Sequence, residues 1–248
     1  MKTLSLARKE LAGYFFSPLA YVVGALFLCA CALKFAPPPA LWTGSRDFFI
    51  LVPGRSASLR PLFEMMARAM IVVGPLLTMR LLSDEFRSGT IETLLTAPIT
   101  DTQVVLGKFL GVLGFYLALL GGTGVFLALM CVFAQIDPGV MAMGYLGMVL
   151  LGAAFLAVGL FASTLSRYQL LAAMVAIVLL SLVGLGAGLL ARHTPAPLNH
   201  IIANFDAMRF LSRFARGQFD TRGLVYFLSI AGWFLFLSVK TLESRRWR

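Results

Sequence analysis

Met79-Arg80-Leu81-Leu82-Ser83-Asp84-Glu85-Phe86-Arg87-Ser88-Gly89-Thr90-Ile91-Glu92-Thr93-Leu94-Leu95-Thr96-Ala97-Pro98-Ile99-Thr100 is the densest run of mixed charge in a chain otherwise dominated by apolar residues. Apolar segments flank it on both sides, which places it at one face of a membrane as a loop or a surface helix. Within it Ile91, Leu94 and Leu95 recur at helical spacing while Glu92 turns away, the pattern of a short amphipathic helix. Pro98 stops that pattern, because the residue before a proline is pushed out of helical conformation. Gly89-Thr90 supplies a joint and an N-cap. Such a segment either lies among lipid headgroups or docks its apolar face into a groove on another protein, leaving its charges in water.

Composition agrees with a membrane setting. The 248 residues are 59% hydrophobic and 13% charged, against about 45–50% and about 25% in ordinary soluble domains. A chain this apolar cannot hide its surface in a water-soluble core, so it belongs in a bilayer. The net charge of +10 then describes membrane-flanking loops and anionic lipid. No run of Lys and Arg interleaved with aromatics points to nucleic acid.

Hydropathy predicts an all-α, polytopic membrane protein with six transmembrane helices in one domain, 1–248. An interfacial helix covers 1–18, its apolar stripe read as Leu4, Ala7, Leu11 and Phe15. Spans follow at about 19–36, 62–82, 104–133, 144–165, 170–191 and 224–239. The second span holds Glu64 and Arg68 one turn apart, close enough to pair, with Arg68 near enough to the span's start to snorkel to the headgroups. Gly107, Gly111, Gly114, Gly121, Gly122 and Gly124 in the third span, and Gly184-x-x-x-Gly188 in the fifth, predict close helix packing. The loop between the second and third spans is 83–103. Segment 192–223 mixes Arg209, Arg213 and Arg216 with Phe205, Phe210, Leu211 and Phe214, so it reads as a short amphipathic or re-entrant helix on the face opposite both termini. Its basicity suggests an acidic substrate, an outer-face partner or anionic headgroups. Lys and Arg on the face holding both termini outnumber those on the other by only a small margin, too little to fix orientation.

Other chemistries find no footing. No Gly-x-x-x-x-Gly-Lys-Ser/Thr loop is present, and Gly107-Lys108 lacks the upstream glycine, so the chain does not hold nucleotide in the P-loop manner. His193 and His200 show no zinc-hydrolase spacing. Cys29, Cys31 and Cys131 read as small hydrophobes within spans. No catalytic constellation, metal site or cofactor site emerges, and the chain is not read as an enzyme.

The central stretch has the pattern acid-acid-x-Arg-Ser-Gly-Thr-x-Glu-x-Leu-Leu-x-x-Pro, followed by Gly107-Lys108 opening the next span. It resembles the cytoplasmic loop of type-2 ABC exporter permeases, in particular the gliding-motility-associated and nitrous-oxide-accessory permeases. A second likeness lies near the C-terminus, in Phe214-Ala215-Arg216-Gly217, Asp220, Arg222, Tyr226-Phe227-Leu228-Ser229 and Leu242-Glu243-Ser244-Arg245-Arg246-Trp247. The resemblance implies that the loop carries a coupling helix that contacts a separate ABC ATPase subunit. The matching positions are Arg80, Glu85, Arg87, Gly89, Thr90, Glu92, Leu94, Leu95, Pro98, Gly107 and Lys108, while Phe86 departs from a more usual basic residue. It further implies that ATP and Mg sit on the partner ATPase. The permease would pair with a second copy or a homologous permease in the bacterial cytoplasmic (inner) membrane, both termini cytoplasmic, with an auxiliary outer-face protein and membrane lipids as further partners. The implied function is the permease subunit of an ATP-driven exporter. The alternative is a non-transporting mechanotransmission scaffold that uses the same ATPase contact to drive an extracytoplasmic partner.

Overall fold

The computed structural model describes residues 2–32, 59–89, 100–133, 137–193, 195 and 205–246, and every regular element among them is helical. In chain order these are α1 (Lys2–Phe16), α2 (Pro18–Ala32), α3 (Arg60–Thr78), α4 (Ser83–Ser88), α5 (Asp101–Phe133), α6 (Pro138–Leu165) and α7 (Gln169–Ser181). A π-helical turn (Leu182–Gly186), α8 (Ala187–His193), α9 (Ala207–Phe214) and α10 (Thr221–Arg246) complete the set. Five segments are long and apolar enough to cross a bilayer: Arg60–Ser88, Asp101–Ala128, Pro138–Leu165, Gln169–Ala191 and Thr221–Ser244. The α1–α2 pair, bent by 75° at Ser17, makes a sixth if it counts as one broken span. The protein is an all-α, multi-pass membrane protein.

Helix α6 is the hub. It starts with Pro138 in the first turn, and the Asp137 carboxylate accepts the Gly139 N–H at 2.9 Å, a capped start of the usual kind. Glycines along it are notches for side chains from its neighbours. A Cβ on Gly144 would lie 2.1 Å from the Phe63 ring of α3, one on Gly152 2.0 Å from the Tyr116 ring of α5, and one on Gly159 2.2 Å from the Thr78 hydroxyl of α3. Tyr116 is fully buried in its notch and donates its hydroxyl hydrogen to the Met148 carbonyl at 2.9 Å. The absence of a side chain at these points lets α3 and α5 approach α6 closely, as small residues do between membrane helices.

The bundle has two polar ends. Phe63 against Gly144 and Phe214 against Gly147 mark one, where α3 begins, α6 begins and α9 lies across them. Thr78 against Gly159 marks the other. From Arg60 to Leu77 a helix rises about 26 Å, close to the hydrocarbon thickness of about 30 Å.

Helix α9 is the short amphipathic helix expected from 192–223. The Asp206 carboxylate accepts the Met208 N–H at 2.9 Å, and Ala207, Phe210, Leu211 and Phe214 are buried while Arg209 faces out. Gly217 at φ +77 ends it, with the Gly217 N–H bonded to the Phe214 carbonyl and the Gln218 N–H to the Arg213 carbonyl. This is a Schellman closure, which needs a residue at ease in the left-handed region.

Helix α1 turns Leu6, Ala7, Glu10, Leu11 and Tyr14 inward, so of the apolar stripe Ala7 and Leu11 face the bundle, Leu4 is exposed, and partly exposed Phe15 meets Phe115 of α5 edge-on at 5.5 Å. The inward face includes a carboxylate because its neighbour on α5 is a lysine. Two packing expectations need correction. In α5 the close-packing glycines are Gly107, Gly111 and Gly114, against α1, whereas Gly121 and Gly124 have nothing within 4 Å of an added Cβ. In the fifth span Gly184 lies within the π-helical turn, facing Phe155, and Gly188 faces Asp206, so the two do not form a regular helical small-residue pair. Of the cysteines, Cys31 is buried while Cys29 and Cys131 are exposed.

Candidate functional site

Lys108 is the single basic residue of α5, set two turns into an otherwise apolar helix. A lone ammonium there must find carboxylates or lift out of the core. It finds two. Its Nζ lies 2.9 Å from Glu10 Oε1 of α1 and 2.7 Å from Glu85 Oε1 of α4, and its side chain is only 2% exposed. The glycines beside it make the first contact possible. A Cβ on Gly107 would come within 2.7 Å of the Leu6 side chain, and one on Gly111 within 2.6 Å of Glu10 Cβ and 3.2 Å of the Ala7 carbonyl. Helix α1 therefore lies directly on the first turns of α5, with Glu10 above Lys108.

Tyr14 holds α1 to a third element. Its hydroxyl donates to the Leu77 carbonyl at 2.6 Å. That carbonyl is open because α3 ends there: the Leu81 N–H, which would have taken it in a continuing helix, bonds the Thr78 carbonyl instead. The Tyr14 ring stacks on Phe115 of α5 with centroids 5.2 Å apart.

Helix α4 is the stem of the polar loop, and it is anchored on several sides. Leu82 and Ser83 are buried, and the Ser83 hydroxyl donates to the Met79 carbonyl. Glu85 pairs with Lys108, while the Asp84 carboxylate accepts a hydrogen bond from the Gln169 side chain at the start of α7. Gly89, at φ +73, closes α4 in the left-handed conformation that β-carbons disfavour. On the return side, Thr100 and Gln103 cap α5 reciprocally. The Thr100 N–H donates to Gln103 Oε1 and the Gln103 N–H to Thr100 Oγ1, both at 3.3 Å, which is a capping box. Both ends of segment 90–99 thus leave from fixed points.

An open cleft of about 300 Å³ adjoins the junction, lined by Glu10, Tyr14, Arg80, Asp84, Glu85 and Lys108. The second carboxylate oxygen of Glu85, Oε2, is buried without a hydrogen-bond partner. Removing one member of a buried ion pair leaves the other uncompensated, typically a loss of about 3–5 kcal/mol.

Of the residues singled out in the sequence, Glu85, Gly107 and Lys108 meet here, Arg80 lines the cleft, and Arg87 and Gly89 follow at the exposed end of α4. Thr90, Glu92, Leu94, Leu95 and Pro98 lie outside the described residues. Sequence reasoning missed Glu10, Tyr14, Asp84 and Gln169. Glu10 had a signal, as the one acid in 1–18, and Thr100-x-x-Gln103 was legible as a cap. Nothing in the linear pattern linked Asp84 to Gln169.

The family model described as ABC-2 family transporter protein matches residues 5–240, a stretch that takes in most of α1, the polar loop and about three quarters of α10. No curated protein sequence matches the chain. With its apolar helices and its match across almost the whole sequence, the chain belongs to the ABC-2 transporter family, as a membrane-spanning permease of the ABC type.

Proposed function

We propose that this permease couples ATP hydrolysis by a separate ATPase subunit to substrate movement across the membrane, with 83–103 as the coupling loop. Glu85, Arg87, Gly89, Thr90, Glu92, Leu94, Leu95, Pro98, Gly107 and Lys108 are the residues of that coupling. The chain works with a second copy or a homologous permease in the bacterial cytoplasmic membrane, both termini cytoplasmic, and ATP and Mg are held by the ATPase.

The observation that carries this reading is the Lys108 junction. A segment that receives motion from a partner must be rigidly tied to the helices it moves. The loop's stem is joined through Glu85 and Lys108 to α5, and through Lys108 and Glu10 to α1. A push on 90–99 then reaches two helices at once. Glu85 serves this internal tie. The docking surface itself is assigned to Leu94 and Leu95.

Co-purification with the cognate ATPase tests the two roles separately. Burying a leucine contributes about 1.5–3 kcal/mol and an exposed ion pair about 0–1 kcal/mol, so Leu94→Ala with Leu95→Ala weakens association more than Glu92→Ala. Lys108→Met keeps the docking residues. The ATPase then stays bound, but ATP now changes the spin-label distance between 90–99 and α1, which the junction holds constant in the wild type. If the double leucine variant retains its ATPase as the wild type does, 90–99 is not the docking element.

A further inference from the structure

The end of the bundle opposite the Lys108 junction carries an excess of arginine over carboxylates among the described residues. Arg60, Arg68, Arg209 and Arg216 line a cleft of about 340 Å³ between α3 and α9, together with Glu64 and Asp206. Both acids are already engaged. Glu64 lies 2.7 Å from Arg60 and 3.5 Å from Arg68, and the Asp206 carboxylate caps α9 through the Met208 N–H at 2.9 Å. Next to the cleft, Arg213 is taken by Asp220. Arg209 and Arg216 are exposed and have no carboxylate partner among the described residues. They lie seven residues apart, two helical turns, so both guanidiniums project from the same side of α9 and the turn that closes it.

We propose that this cleft binds an anionic phosphate ester, and that the phosphate is presented by a phospholipid headgroup. Guanidinium groups hold phosphate oxygens by paired N–H donors, which suits two arginines with no carboxylate partner among the described residues beside two that share one carboxylate. Depth favours a lipid. Arg68 stands two turns further along α3 than Arg60, about 12 Å nearer the bilayer centre, and its side chain is 57% exposed. A ligand touching both Arg68 and Arg209 spans the headgroup layer. Phe205 and Phe219, exposed aromatics flanking α9, sit where interfacial aromatics anchor. With four guanidiniums against two carboxylates the cleft keeps a net positive charge, so anionic phosphatidylglycerol is preferred over zwitterionic phosphatidylcholine. This site stands on the opposite end from the coupling loop and does not depend on the ATPase reading.

The test is binding of fluorescent phosphatidylglycerol and phosphatidylcholine to the full-length chain in neutral detergent, with inorganic phosphate and glycerol 3-phosphate as soluble competitors. Phosphatidylglycerol is expected to bind more tightly, and Arg209→Gln with Arg216→Gln to weaken it roughly thirtyfold, from the loss of two surface cations near an anionic headgroup. Arg167→Gln, at an exposed turn of the other end, should leave binding unchanged. Arg209→Lys with Arg216→Lys keeps the charge and should retain part of the affinity, which separates loss of the site from loss of the fold. Competition by millimolar phosphate would support the phosphate chemistry while moving its source from lipid to soluble ester. Failure of both competitors, with the lipid preference intact, supports the lipid source. Equal binding of the two lipids, or wild-type affinity in the double glutamine variant, overturns the proposal.

Discussion

Lys108 and Glu85 meet at 2.7 Å inside the bundle, one from the apolar start of α5 and the other from the short helix that opens the polar loop. Because the lysine is almost wholly buried and also holds Glu10, the three charges form one unit across α1, α4 and α5. Neutralising the lysine leaves two carboxylates facing each other with no cation between them. Lys108→Met is expected to lower stability by about 3–5 kcal/mol, read as a fall in the unfolding midpoint in detergent. Adding Glu85→Gln and Glu10→Gln should recover part of the loss, since the repulsion goes with the charges. A triple variant no better than Lys108→Met would show that packing of the lysine stem matters more than its charge.

Tyr14 is the second tie on α1. Tyr14→Phe keeps the stacking on Phe115 and removes the donor to the Leu77 carbonyl. Leaving that acceptor unsatisfied should cost about 1–3 kcal/mol if no water reaches it. The same variant should speed amide hydrogen exchange in α1 relative to α6. Unchanged exchange in α1 would mean that Lys108–Glu10 holds the helix unaided.

The glycine notches of α6 are testable by the smallest side chain. Gly152→Ala places a methyl group 2.0 Å from the Tyr116 ring, which cannot swing aside without giving up its bond to the Met148 carbonyl. Overpacking of this kind costs typically about 1–3 kcal/mol. Gly121→Ala meets nothing within 4 Å and gains helix propensity, so it should not lower the midpoint. Equal effects from the two alanines would rule out the notch as the reason for Gly152.

At the arginine-rich end, the hydrogen bond from Arg213 holds the Asp220 carboxyl below the usual carboxylate range, helped by the Arg222 N–H at 3.0 Å. A folded-state value below the unfolded value of about 3.9 means that the pair's stabilisation is present above that pH. It is lost as pH falls through the lower, folded value. Asp220→Asn should therefore lower the midpoint at neutral pH, modestly for a partly exposed pair, and converge with the wild type in acid, which flattens the acid side of the stability profile. Midpoints measured from neutral to acid pH for both proteins give the comparison; profiles that superimpose at neutral pH as well would show that Arg213 contributes nothing through Asp220.

Apolar runs and the loop pattern are written linearly, and they were enough to mark an all-α, multi-pass membrane protein of the ABC-2 family. The sequence also placed a short amphipathic helix among the arginines and phenylalanines now seen in α9. It could not say which face of a helix meets which neighbour. In a bilayer, lipid-facing and protein-facing positions are both apolar, so hydropathy does not separate Leu4, which points outward, from Leu6 and Ala7, which pack on α5. Nor could glycine spacing show that Gly107 and Gly111 receive α1 while Gly121 meets nothing. The junction at the loop's stem was decided only by the tertiary structure, because Glu10 stands 98 residues from Lys108 in the chain. A buried charge announces that it needs a partner, but only packing brings the partner to it.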